Sequence, residues 1–270
     1  MPREIAKANP RLRKREIAFA VAMGVLGAGG AALILDNADD GPRGDRDEAA
    51  MDQVSYPLSD FDKVAVEGPQ DVDIVYGEAF SVSASGSADN LRQLEAVVEN
   101  GGLVIRPRAG QFFGDWGDLD EVTFTVTMPR VSRVALAGSG DVTVDRVAGD
   151  SFDGVVGGSG TLQIGQIETD QASFTVNGSG DLDASGAVGN VTVNISGSGE
   201  FHAEGLTGTT ATVSIGGSGE ADLTVLEEAA VSITGSGEVD TFGPGVCSVT
   251  RMGSGEVRCE GGGGDAVRDD

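Results

Sequence analysis

Residues 171–210 read QASFTVNGSGDLDASGAVGN and then VTVNISGSGEFHAEGLTGTT, and the second block repeats the pattern of the first. Each block runs a short apolar/polar alternation into Gly-Ser-Gly, leaves through an acidic residue and a second alternation, and closes on a turn. Working outward, the tripeptide occurs seven times, with first glycines at Gly138, Gly158, Gly178, Gly197, Gly217, Gly235 and Gly253. The intervals are 20, 20, 19, 20, 18 and 18 residues. Strands rise about 3.3 Å per residue, so one period makes a small coil of two or three short strands. Such a unit buries its apolar side only against its neighbours, which is the mark of a stacked repeat. Parallel stacking with the hand favoured for parallel crossovers predicts an all-β chain, a right-handed parallel β-helix (solenoid) of ~20-residue coils. Glycine flanks the serine because the corner turns tightly in every coil.

Composition agrees. Glycine contributes 43 of 270 residues and aromatics only 5%, which suits thin, regular β-layers better than a bulky core. The net charge of −25 argues against nucleic acid as a partner, because binding there requires a basic surface.

The charge is unevenly placed. Residues 1–16 carry six basic side chains against Glu4 and Glu16, a net of +4, and form a basic segment. Ile17–Leu35 (IAFAVAMGVLGAGGAALIL) then runs 19 residues without a charge, about the length of a membrane-crossing helix. Two readings compete. A cleaved signal peptide has a shorter apolar stretch and a small-residue cleavage site, whereas this one ends Leu33-Ile34-Leu35-Asp36, which favours an uncleaved transmembrane signal-anchor helix at 17–35. The positive-inside rule then puts 1–16 in the cytoplasm and the remainder outside it, in the periplasm or at the cell surface. Residues 36–55 read as a flexible acidic linker, in which Arg43-Gly44-Asp45 is a chance tripeptide.

The folded part is expected over 56–260, with a disordered polar tail at 261–270. VAVEGPQDVDIV (64–75) aligns with VALAGSGDVTVD (134–145), so Gly68-Pro69-Gln70-Asp71 reads as a degenerate first repeat. Strands are expected at 79–85 and 103–107. Between them DNLRQLEAVVEN (89–100) places Leu91, Leu94, Val97 and Val98 at helical spacing, which predicts a short helix capped by Asp89 and ended by Gly101-Gly102. Phe112, Phe113 and Trp116 form an aromatic cluster expected to plug the edge of the core, with sugar stacking as the alternative.

Over roughly 57–260 the chain resembles the bacterial head GIN domain proteins, a family labelled autotransporter adhesins. The resemblance rests on FDKVAVEGPQD (61–71), on VTFTVTMPRVSRVALAGSGDV (122–142) and on the recurrent GSG followed by Asp or Glu. It implies a β-helical extracytoplasmic domain with no established enzymatic activity.

Six of the seven tripeptides are followed by an acid (Asp141, Asp181, Glu200, Glu220, Glu238, Glu256), and Thr161 follows the other. Stacking places these in a column, where carboxylates ~4.8 Å apart repel by roughly 1 kcal/mol in water. Such a column is expected to be a solvated ladder. Calcium is the natural bridging cation, which makes the six acids candidate calcium ligands. The serines (Ser139, Ser159, Ser179, Ser198, Ser218, Ser236, Ser254) read as a corner hydroxyl ladder and His202 as an ordinary surface residue. Cys247 and Cys259 lie 12 residues apart, and in an oxidising compartment they form a plausible disulfide closing the last coil; two unpaired thiols are the alternative. No catalytic constellation stands out, and no cofactor is expected. The reading is therefore a non-enzymatic binding or scaffolding domain for an envelope protein or polysaccharide. A polysaccharide hydrolase or lyase, or a calcium-responsive structural module, is the rival.

Overall fold

The structure is a computed structural model that describes residues 52–108 and 121–260 with their side chains and 266–269 by backbone alone. The expected anchor at 17–35, the basic segment at 1–16, Arg43-Gly44-Asp45 and the aromatic cluster at 112–116 lie outside the described residues. Among the described residues no helix is long and apolar enough to cross a membrane.

In chain order the N-terminal part forms β1 (Asp52–Tyr56), β2 (Lys63–Gly68), β3 (Asp71–Tyr76), β4 (Ser81–Gly86), α1 (Ala88–Gln93), β5 (Leu94–Glu99), β6 (Gly102–Pro107) and β7 (Thr123–Met128). The repeats follow as β8 (Arg133–Gly138), β9 (Asp141–Val144), β10 (Val147–Gly158), β11 (Thr161–Gly178), β12 (Asp181–Gly197), β13 (Glu200–Gly217) and β14 (Glu220–Gly235). They end with β15 (Glu238–Phe242), β16 (Val246–Gly253), β17 (Glu256–Cys259) and β18 (Ala266–Asp269). From β8 onward every pairing between successive coils is parallel, as in a β-helical solenoid. Each long strand leaves one corner, bends, and runs to the next. A coil thus has an exit segment after the tripeptide, an entry segment before it, and a closing segment between.

Alternation decides what enters the core. On the exit segments Val72, Val142, Leu162, Leu182, Phe201, Ala221 and Val239 stack inward and are buried. On the entry segments Leu136, Val156, Val176, Ile195, Ile215 and Ile233 do the same. Phe152, Phe174 and Phe201 form a run of tilted rings with centroids 6.3 and 5.0 Å apart. Each aliphatic side chain buried in such a column contributes roughly 1.5–3 kcal/mol.

The corners explain their glycines by stacking as well as by torsion. Gly178 has φ +126°, and a Cβ there would stand 2.5 Å from the Gly158 carbonyl oxygen one coil earlier. The same carbonyl accepts from the Ser179 amide at 2.9 Å, and Ser198, Ser218, Ser236 and Ser254 repeat the bond. The hydrogen-bond ladder therefore runs through the corner without a break. Gly68 stacks on Gly138, which places the Gly-Pro-Gln-Asp segment as the first corner. There Gln70 is buried and donates to the carbonyls of Glu67 and Ile105 at 3.1 and 3.4 Å.

Three expectations change at the ends. The helix at 89–100 is only α1, capped by Ser87, whose hydroxyl accepts from the Asn90 amide at 3.2 Å. Its second half is β5, hairpinned antiparallel to β6 with Glu99 opposite Gly102. Asn100 and Gly101 both have positive φ (51° and 75°), the requirement of a two-residue primed turn. Leu94 and Ala96 are buried at the period of two that a strand requires, and the turn decides. At the linker boundary, β1 begins within 36–55 and pairs antiparallel with β4, held by backbone bonding more than by burial. In the tail, Ala266–Asp269 pairs in parallel with β16, so the open edge of the stack orders a segment that its own composition would not.

Candidate functional site

The exit segments carry two outward columns. The register places Asp141, Thr161, Asp181, Glu200, Glu220, Glu238 and Glu256 in succession, and the Asp141 amide donates to Asp71 Oδ1 at 3.0 Å at the N-terminal end. Two residues further along each strand, on the same side, stand Asp73, Thr143, Gln163, Asp183, His202, Asp222, Asp240 and Arg258. Motif spacing pointed to the first column. It missed the second, whose residue types vary from coil to coil, although counting two onward from each acid would have found it.

Two basic side chains, His202 and Arg258, interrupt this acidic face. His202 lies between Asp183 and Asp222 in the stack; its Nε2 is 2.9 Å from Glu200 Oε2 and its Nδ1 is 3.5 Å from Asp222 Oδ2. Burial pulls its pKa down, but the hydrogen bonds to Glu200 and Asp222 and the charges of Glu200 and Asp183 outweigh it, and the net shift is upward. Burial raises Asp181 and Asp183, with Glu200 adding to the first and His202 opposing on both. Burial also raises Glu220, reinforced by Asp222, Glu238 and Glu200, and raises Asp222 against the opposing contact with His202. At the C-terminal end Arg258 pairs with Glu238, with Glu256 at 3.1 Å and with Asp240 at 3.3 Å. The six calcium candidates thus stand in one column, but their side chains leave the sheet side by side. Among the described residues no three His, Cys, Asp or Glu side chains converge as a metal site requires.

The closing segments form a second feature, a groove of about 650 Å³. It runs along the stack, from Arg146 through Glu168 and Asp170, past Ala187, to Thr207, Thr209 and Leu226 on successive coils. Exposed alanines (Ala148, Ala187) and glycines (Gly149, Gly189) keep it open. Arg146 Nη2 is 3.8 Å from Glu168 Oε2, with both side chains largely exposed. Glu168 and Asp170 stand two residues apart on one strand, so they line the same wall. A glycosidase pair instead flanks the scissile bond from two sides.

Of the remaining candidates, the corner serines are exposed, their amides holding the coil ladder. Cys247 and Cys259 are joined as a disulfide, Cα atoms 6.5 Å apart, bridging β16 and β17 across the last corner.

A family model described as "putative auto-transporter adhesin, head GIN domain" matches residues 60–245. Among curated proteins none matches the sequence. Solved structures share the fold, among them the following three. A "putative adhesin" from Bacteroides fragilis aligns with TM-score 0.70 and 16% identity over 78% of this chain and 98% of its own. A "putative lipid binding protein" from Parabacteroides distasonis aligns with TM-score 0.62 and 22% identity over 78% and 97%. A "putative adhesin" from Parabacteroides merdae aligns with TM-score 0.62 and 16% identity over 78% and 97%.

Proposed function

Because the chain belongs to the head GIN domain family, we propose that it is a non-enzymatic, adhesin-like binding domain of the bacterial cell envelope. Its coils wind right-handed, and 17–35 anchors it in the cytoplasmic membrane with 1–16 inside and the solenoid outside. The partner is an extended envelope polymer, protein or polysaccharide. The observation that supports this best is the parallel pairing of every coil with the next from β8 to β17, which sets outward side chains in columns along the stack. Repeat stacks of this kind suit extended partners. The side-by-side carboxylates support a binding role over a hydrolytic one.

The test is retention. The full-length chain in mild detergent, immobilised and exposed to fractionated envelope extract of its own cell, is expected to hold a defined polymer fraction without shortening it. Retention of nothing by the folded protein, or release of shortened polymer, overturns the proposal. Alkaline extraction of membranes tests the anchor: the chain is expected to stay with the bilayer, and recovery in the soluble fraction counts against 17–35.

A further inference from the structure

We propose that the groove of the closing face is the binding site for an uncharged polysaccharide strand lying along the solenoid axis. The inference rests on the binding-domain reading above and names its site and ligand class.

Direction comes first. The groove crosses five successive coils, from Arg146 to Leu226, and coils repeat at about 4.8 Å. A linear ligand laid along it meets one set of side chains per coil. An extended glycan also advances by about one strand spacing per sugar ring.

The chemistry selects hydroxyl-bearing ligands. Along the groove Arg146 donates, Glu168 and Asp170 accept, and Thr207 and Thr209 do both, which is what sugar hydroxyls require. The half-exposed Leu226 at the far end offers an apolar contact for a ring face. An extended peptide is a poor fit, because the strands beneath are already paired on both sides and offer no edge for strand addition. An acyl chain would meet charges along the groove. A polyanion would face Glu168, Asp170 and a protein of net charge −25, with Arg146 already beside Glu168.

A separate observation points to the same face. The register breaks between coils fall on or beside the closing segments, at Ile164/Ile167, Asp183/Gly186, Ala203/Thr207 and Gly208/Thr210. There the 18-to-20-residue variation in repeat length is absorbed. In repeat proteins such variation gathers on one face, often the binding face.

The experiment uses the full-length chain in detergent on an array of defined neutral hexasaccharides, with oligogalacturonate and phosphatidylcholine vesicles beside them. At least one neutral hexasaccharide is expected to bind. Arg146→Gln and Thr207→Ala are each expected to weaken it about tenfold, the usual effect of losing a hydrogen bond to a charged or buried group. Ala187→Phe, an exposed position in the groove, is expected to abolish binding, and Glu256→Gln on the acidic face to leave it unchanged. Melting curves confirm that each variant folds; Thr207→Ala serves if Ala187→Phe does not. No neutral oligosaccharide bound, binding only to oligogalacturonate or vesicles, or binding that survives Arg146→Gln, Thr207→Ala and Ala187→Phe overturns the assignment. The envelope pull-down separates the two readings. If Ala187→Phe retains the same polymer as the unsubstituted chain, the binding domain stands and the groove falls; if neither retains anything, the binding domain falls.

Discussion

His202 is the chain's one histidine, and its place in an acidic column ties proton binding to stability. Its folded pKa lies above the ordinary 6.5 because Glu200 and Asp222 hold the imidazolium. The stabilisation is therefore fully present below about 6.5 and is lost as pH rises through the folded value. Asp181, Asp183, Glu220 and Asp222 are also raised. Their contribution is complete below the unfolded carboxylate values near 4 and is lost as pH rises through the folded ones. The histidine term favours the fold on mild acidification, and the carboxylates add to it as pH falls through their raised values. The melting temperature is expected to be higher at pH 5.5 than at pH 8, and His202→Gln to narrow that difference. A lone imidazole signal titrating below 6.5 by NMR would contradict the geometry. Two glycines give a second residue-scale prediction, because their constraints differ. Gly101 has φ +75° with open space where a Cβ would stand, so Gly101→Ala is expected to cost about 1–2 kcal/mol for the left-handed torsion alone. Gly178→Ala adds a backbone collision and is expected to cost about 3 kcal/mol or more in urea denaturation.

At the scale of the element, the acidic column is a set of like charges held in register by strands that cannot separate. Glu220 has its pKa raised by burial and then by Asp222, Glu238 and Glu200, so its charge opposes the fold. Glu220→Gln is expected to stabilise the protein by about 0.5 kcal/mol at pH 7 and low salt, and added sodium chloride to shrink the gain. Because the carboxylates do not converge, a chelator is expected to leave the melting temperature unchanged; a drop would restore calcium as a structural ligand. These elements were legible to very different degrees. The constant interval of the tripeptides exposed the coils, the first acidic column and even the Gly68–Asp71 corner, because stacking forces the same residue type into the same place. β5 was obscured because Leu91, Leu94, Val97 and Val98 satisfy a helical period, and Gly101-Gly102 reads as a helix end, whereas it is Asn100-Gly101 that makes the turn deciding the matter. The second column was hidden by its variety, with Asp183, His202, Asp222 and Arg258 sharing only a position. The groove left no motif, since it is made by small residues in the segments where the repeat length drifts.

For the whole molecule, a solenoid shares each coil's apolar surface with two neighbours except at its ends, and the two ends are closed differently. At the N-terminal end the parallel stack passes into antiparallel pairs, β1 with β4 and β5 with β6, and Gln70 is buried in the first corner. At the C-terminal end the entry column that carries Ile215 and Ile233 gives way to Arg251, opposite Asp269 of β18, and the Arg251 Nη1 donates to the Gly255 carbonyl at 3.1 Å. Hydrophobic burial therefore fades at this end, and the Cys247–Cys259 bridge spans the place where it does. A closed loop of this length stabilises by about 3 kcal/mol in the chain-entropy view. In a one-dimensional stack that gain belongs mainly to the last coil. Reduction is accordingly expected to speed amide exchange in β16 and β17 by one to two orders of magnitude, roughly the range that local opening of this size allows. Exchange in β11–β13 should be unchanged. Uniform acceleration along the chain would mean that the coils unfold as one unit, and no change anywhere would mean that Arg251 and the backbone ladder close the end without the bridge.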